Sequence, residues 1–240
     1  MIDVPAERAN EVAPLQETLG YRFSDLRLLN KALTHKSYVN EKNEVLKHNE
    51  RFEFLGDSVL DLMVSNYLVC EYSDYAEGTL SKIRAAVVNE NCLAGLARKI
   101  ELGKFLLLGK GEDKSGGRDK SSILADAFEA LAGALFRDSG LESTSNVILP
   151  ILSDEIFTFA CSCDFRDFKS ELQEYTQNKW FCTPSYKVVN ELGPDHAKEF
   201  EVTVTINSKV KGQGLGKNKK GAEQAAAKMA IESFLPPSKD

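Results

Sequence analysis

Cysteine, histidine and tryptophan are scarce in this chain, with five, three and one among 240 residues. The cysteines, Cys70, Cys92, Cys161, Cys163 and Cys182, are odd in number and mostly isolated. They argue against a disulfide framework and for reduced thiols. Cys161 and Cys163 stand too close together, and too far from any other Cys or His, to complete a zinc site. No uncharged apolar run approaches the roughly 20 residues of a membrane span, so no membrane partner is expected. The opening MIDVPAERANEVAPLQ lacks the basic stretch and apolar run of a signal or transit peptide, which makes a cytoplasmic location the expectation. The glycine-rich GKGEDKSGGRDKSS fits neither a Walker A loop nor a G-x-G-x-x-G dinucleotide turn, and reads as a polar loop.

A basic excess is missing too, since the net charge is −6. The balance is uneven, however. Residues 168–240 carry eleven lysines against nine acidic residues, net +2, which leaves residues 1–167 at −8. Total charge therefore does not exclude a nucleic-acid partner. It says that the first part repels phosphate unless cations intervene. The hydrophobic fraction of 42% and charged fraction of 28% are those of an ordinary globular chain, long enough for one large domain or two small ones.

What is present, up to about residue 160, is helical periodicity. Ser24 is a plausible N-cap for DLRLLNKALTH, where Leu26, Leu29 and Leu33 recur at helical spacing. HNERFEFLGDSVLDL and EGTLSKIRAAVVNENCLAGLARKI continue the pattern, and ILADAFEALAGALFRDSG is expected to run from a Ser121/Ser122 cap to a stop at Gly140. No strand is expected there. After CSCDFRD the texture changes. FKSELQEYTQNKW reads as a helix, SYKVVNE, EFEVTVTI and KVKGQGL as strands, and KNKKGAEQAAAKMAIESFL as a closing helix. The expected architecture is two domains: an all-α domain over 1–160, a linker over 161–167, and a small α+β domain of order α-β-β-β-α over 168–240.

The all-α part places acids where they conflict. Glu53 and Asp57 are four residues apart and Asp126 and Glu129 three apart, so each pair shares a helix face. In ILADAFEALAGALF those last two are the only charges in 14 residues. Paired, partly buried carboxylates raise one another's pKa, and a hard divalent cation such as Mg²⁺ removes the conflict. The alternative is that each acid pairs with an arginine or caps a helix. Two pairs on two apolar helices favour the cation.

Six blocks in order carry a resemblance. NERFEFLGDSVL looks like the signature helix of the ribonuclease III family, SILADAFEALAGA resembles its second catalytic helix, and LTHKSY, EGTLSKIRAAVVN and LGKGEDKSGGR match further blocks. The tail, with LQEYTQ, GPDHAKEF and GKNKKGAEQAAA, is similar to the double-stranded-RNA-binding domain of these enzymes. Phe52 stands where the family often has Leu, and Phe168 where a Pro is common. Asp61 belongs to no motif and is expected to be a solvated surface residue. The resemblance implies an endoribonuclease for double-stranded RNA, a homodimer, and Mg²⁺ as cofactor with Mn²⁺ as a substitute. It implies that Glu53, Asp57, Asp126 and Glu129 are metal ligands, directly or through water, and that Glu50 and Glu77 are accessory catalytic acids. It implies products with 5′ phosphates, 3′ hydroxyls and short 3′ overhangs, and a role in processing ribosomal or messenger RNA precursors. Phe54 matches a residue inserted into the partner subunit, with ordinary core packing as the alternative. Lys110, Lys114 and Arg118 are candidates for touching RNA backbone, or members of a solvated loop. Thr34, His35 and Ser37 are expected to be structural hydrogen-bonders.

The tail offers three clusters suited to A-form duplex, which presents 2′-hydroxyls in a wide minor groove flanked by phosphates. Gln173, Glu174 and Gln177 share a helix face able to bond 2′-hydroxyls. His196 sits in a loop that could reach a second patch of the groove. Lys217, Lys219 and Lys220 open the last helix, where lysines oppose the helix dipole unless an anion is bound.

Overall fold

The computed structural model describes residues 4–42, 47–162, 167–194 and 198–234. Two compact units form, Met1–Asp74 with Leu80–Ser162, and Tyr75–Thr79 with Cys163–Asp240. Helices α1 (Ala6–Leu19), α2 (Leu26–Ala32), α3 (Lys36–Lys42), α4 (Glu50–Glu71), α5 (Glu77–Val87), α6 (Glu90–Lys99), α7 (Lys110–Lys114) and α8 (Ser121–Cys161) come first. Helix α9 (Phe168–Trp180), strands β1 (Ser185–Leu192), β2 (Glu199–Ile206) and β3 (Lys209–Gly216), and helix α10 (Lys219–Glu232) follow. The expected order, helices and then α-β-β-β-α, is the order observed.

Helices α4 and α8 form the centre of the helical unit, burying Phe52, Val59, Leu60 and Met63 from one and Phe128, Leu131 and Leu135 from the other. Two glycines set their separation. A Cβ on Gly56 would fall on the Glu129 carbonyl, and one on Gly133 would fall on the Phe52 carbonyl. The two backbones therefore touch, closer than any side chain would allow.

Local details differ from expectation. Asp25 rather than Ser24 caps α2, its carboxylate accepting from the Arg27 N–H. Ser24 instead gives its backbone N–H to Asp138 (2.8 Å). Lys120 occupies the cap position of α8 with no side-chain cap, and the serines lie inside the first turn. Gly140, at φ 79° and ψ −179°, breaks the helical path as expected, but the helix resumes and continues to Cys161. The polar loop contains α7 and a short 3₁₀ turn over Gly117–Asp119. Arg118 holds it together. Its guanidinium donates to the Gly103 (3.0 Å) and Leu106 (2.9 Å) carbonyls and to Asp113 (2.7 Å).

In the second unit the strands pair antiparallel in the order β1-β2-β3. The alternation of β2 buries Val202, Val204 and Ile206 against Phe168 and Leu172 of α9 and an alanine row of α10, Ala222, Ala226 and Ala230. Gly212, Gly214 and Gly216 of β3 lie directly under that row, where a Cβ would strike the backbone of α10. Asp167 and Asn218 cap α9 and α10 by accepting from the Ser170 and Gly221 N–H groups.

Candidate metal centre and RNA-binding surface

Because α4 and α8 meet at glycines, the polar side chains at the rim of their contact converge. Glu53, Asp126 and Glu129 each bring one carboxylate oxygen within 4.8 Å of the others'. All three are half-buried. Burial raises each of their pKa values. Neighbouring charge adds to it: Asp126 and Glu50 for Glu53, Glu90 and Glu50 for Asp126. Glu129 is pushed up to about 7, by burial first and then by Asp57, Asp126, Glu53 and Asp61.

Asp57 is exposed one turn beyond Glu53 and lies outside the 4.8 Å group, although it is the charge that acts most strongly on Glu129. Among the described residues none of these four carboxylates enters an ion pair, so the alternative of arginine pairing is not what the side chains do. The donor set, carboxylates from two rigid helices with no sulfur or imidazole, is that of a hard divalent cation.

The accessory acids separate. Glu50 accepts from Lys36 (3.1 Å), which holds its carboxyl below the usual range, and faces His48 (3.6 Å). Glu77 opens α5 and is exposed. Asp61 is a half-exposed ion-pair partner of Arg84 (3.7 Å), and its charge still reaches Glu129. One acid beside this centre carried no signal in the spacing: Glu90, in the first turn of α6, whose charge helps to raise Asp126. It acts on Asp126 through tertiary packing and shares its helix with no other acid.

His35 is structural, as expected. Its Nδ1 bonds the Ser37 hydroxyl (2.8 Å), its backbone N–H donates to the Leu107 carbonyl (3.0 Å), and burial lowers its pKa. Phe54 is 79% exposed, which excludes core packing within this subunit, and Leu62 and Val69 are exposed on the same helix. Lys110 pairs with Glu41 (3.8 Å) and Lys114 is exposed. Arg118 is consumed by the loop itself.

On the second unit, Gln173, Glu174 and Gln177 are exposed together on α9. Lys217, Lys219 and Lys220 are exposed around the Asn218 cap, and none is in an ion pair among the described residues. His196 lies outside the described residues.

A profile described as Ribonuclease-III-like matches residues 25–155, and one described as double-stranded RNA binding motif matches residues 168–233. The chain belongs to the ribonuclease III family. A "Ribonuclease 3" of Caldanaerobacter subterraneus subsp. tengcongensis is 50% identical over 221 residues, 92% of this chain and 96% of its own. A "Ribonuclease 3" of Borreliella burgdorferi is 43% identical over 95% of this chain and 93% of its own. The solved nuclease domain of ribonuclease III from Campylobacter jejuni superposes with a TM-score of 0.56 at 43% identity, covering 60% of this chain and 97% of that domain. This family member is an endoribonuclease with a double-stranded-RNA-binding domain.

Proposed function

We propose that this endoribonuclease hydrolyses the backbone of double-stranded RNA at the centre formed by Glu53, Asp57, Asp126 and Glu129, with Mg²⁺ as cofactor and Mn²⁺ able to replace it. The supporting observation is the convergence of Glu53, Asp126 and Glu129 within 4.8 Å in a half-buried setting that drives Glu129 to about 7. When bound, the cation supplies a water of lowered pKa and neutralises phosphate oxygens. Glu53, Asp57, Asp126 and Glu129 would hold it, directly or through water. Glu50 and Glu77 are accessory acids toward the scissile strand.

Gln173, Glu174, Gln177 and His196 read the minor groove, and Lys217, Lys219 and Lys220 take the phosphates. The catalytic domain spans 1–160 and the RNA-binding domain 168–240, joined by 161–167. Phe54 enters a partner subunit, so that each site of a homodimer cuts one strand. The Campylobacter jejuni nuclease domain, whose description names a region involved in dimer formation, favours this. The products carry 5′ phosphates, 3′ hydroxyls and short 3′ overhangs, and the setting is precursor RNA processing in the cytoplasm.

The test is a single-turnover cleavage assay on a defined hairpin duplex. Glu129→Gln and Asp57→Asn are expected to lower the rate by at least about a hundredfold, in line with loss of one electrostatic partner of a reacting group, while duplex affinity stays within about twofold of wild type. Variants that cut normally would refute the site. Intact duplex bound by the wild-type chain in Mg²⁺ would favour a non-catalytic binder, and stability and any cleavage that do not depend on Mg²⁺ would make the acids idle members of a helical scaffold.

A further inference from the structure

The corner formed by Thr34, His35, Lys36 and Ser37 is braced on every side. The buried Thr34 donates its hydroxyl to the Asn30 carbonyl (2.6 Å), accepts from the Asn49 N–H (2.9 Å) just before α4, and pairs with Leu107 in an isolated bridge. The Ser37 hydroxyl bonds His35 and accepts from the Gly109 N–H (2.9 Å). Lys36 opens α3 from this frame, and its ammonium reaches the Glu50 carboxylate at 3.1 Å. Its charge also acts on Glu53 and Asp126, opposing the repulsion among the acids. Lys120, the other lysine felt at this corner, is engaged by Glu112. An exposed ion pair contributes little to stability, so the Lys36–Glu50 contact does not by itself explain so firm a mount. The frame aims one cation at a centre otherwise built of acids.

We propose that Lys36 contacts the substrate: its ammonium takes a non-bridging oxygen of the phosphate under attack. The inference rests on the hydrolytic reading of the acids. Lys36 neither gives nor takes a proton. The P–O bond to water forms as the P–O3′ bond breaks, and the proton leaving the water ends on the 3′ oxygen. Lys36 offsets the charge gathering on the phosphate between those events. A donor already in place acts without reorganisation. Because an ammonium is a point charge with rotatable donors, arginine substitutes in part and glutamine does not.

The test uses the full chain as wild type, Lys36→Gln, Lys36→Arg and Glu129→Gln. Three quantities are measured: single-turnover cleavage of a hairpin duplex at saturating RNA and Mg²⁺, duplex affinity without divalent ions, and Mn²⁺ binding by the free protein from its electron paramagnetic resonance signal. Lys36→Gln is expected to slow cleavage about 30-fold and Lys36→Arg by no more than about fivefold. Both should bind RNA within about twofold of wild type and Mn²⁺ at least as tightly, since a competing cation has been removed or kept. A wild-type rate for Lys36→Gln overturns the proposal. A rate loss matched by weaker Mn²⁺ binding overturns it as well, because Lys36 would then act by ordering the acids. Failure of the underlying reading looks different: Glu129→Gln would cleave at the wild-type rate.

Discussion

Glu129 carries the largest conflict in the acidic centre, and it makes stability depend on pH with an unusual sign. Its carboxyl titrates near 4.5 when unfolded and about 7 when folded, raised by burial and by Asp57, Asp126 and Glu53. Between those values the folded state holds a proton that the unfolded state has lost, so stability falls as pH rises. A shift of that size corresponds to about 3–4 kcal/mol at most, reduced by partial exposure. In metal-free buffer the melting temperature should drop by several degrees between pH 5 and pH 8. Glu129→Gln should flatten that drop, and Mg²⁺ should reverse it at pH 8. A pH-independent melt in chelator would contradict the coupling. Arg118 gives a second expectation. With its donors spent on Gly103, Leu106 and Asp113, Arg118→Ala should cost about 1–3 kcal/mol of stability by leaving the part-buried Gly103 and Leu106 carbonyls unmet and leave duplex affinity unchanged. A normal melt with weakened RNA binding would restore it to the RNA surface. Sequence could not separate Arg118 from Lys110 and Lys114, because a polar, glycine-rich run looks the same whether its cations face water or tie the run together.

The geometry of the centre belongs to a pair of helices more than to any acid. Gly56 and Gly133 let α4 and α8 touch, and the carboxylates meet only at that separation. Gly133→Ala should therefore cost roughly 1–3 kcal/mol through overpacking and also lower cleavage, by pushing Glu53 away from Asp126 and Glu129. Gly95, inside α6 with open space where its Cβ would be, serves as the contrast. Gly95→Ala should stabilise by about 0.5–1 kcal/mol and leave the rate alone. Melting curves and initial rates on the two variants decide it, and a silent Gly133→Ala would sink the argument. Helical faces and the alternation in β2 were legible because burial imposes a period. The cap at Asp25, the helix α7 and the resumption of α8 after Gly140 were not. Those depend on which nearby groups win a hydrogen bond, such as Asp138 drawing the Ser24 N–H away. The convergence of Glu53 with Asp126 and Glu129 was inferable from two matched pairs. The nearness of Glu90 to Asp126 was not, since packing alone brings it in.

The chain divides its electrostatics between its parts. The helical unit carries the excess acid that a cation centre needs, and the last third carries net +2, with Lys217, Lys219 and Lys220 exposed and in no ion pair among the described residues. An acidic surface repels a polyanion, so the proposed reading puts the affinity chiefly in the basic part. Each phosphate neutralised releases counterions and steepens the dependence of affinity on salt. Replacing Lys217, Lys219 and Lys220 together by Gln should reduce the slope of log affinity against log salt by about 1–3, weakening binding to all duplex sequences alike. Removing residues 168–240 should weaken binding further, while single-turnover cleavage at low salt and saturating duplex persists through Glu53, Asp57, Asp126 and Glu129. Filter binding across a salt series, run beside that cleavage assay, separates the two roles. A truncated chain that binds as tightly as the full one at moderate salt would place the affinity in the helical unit, against its own charge.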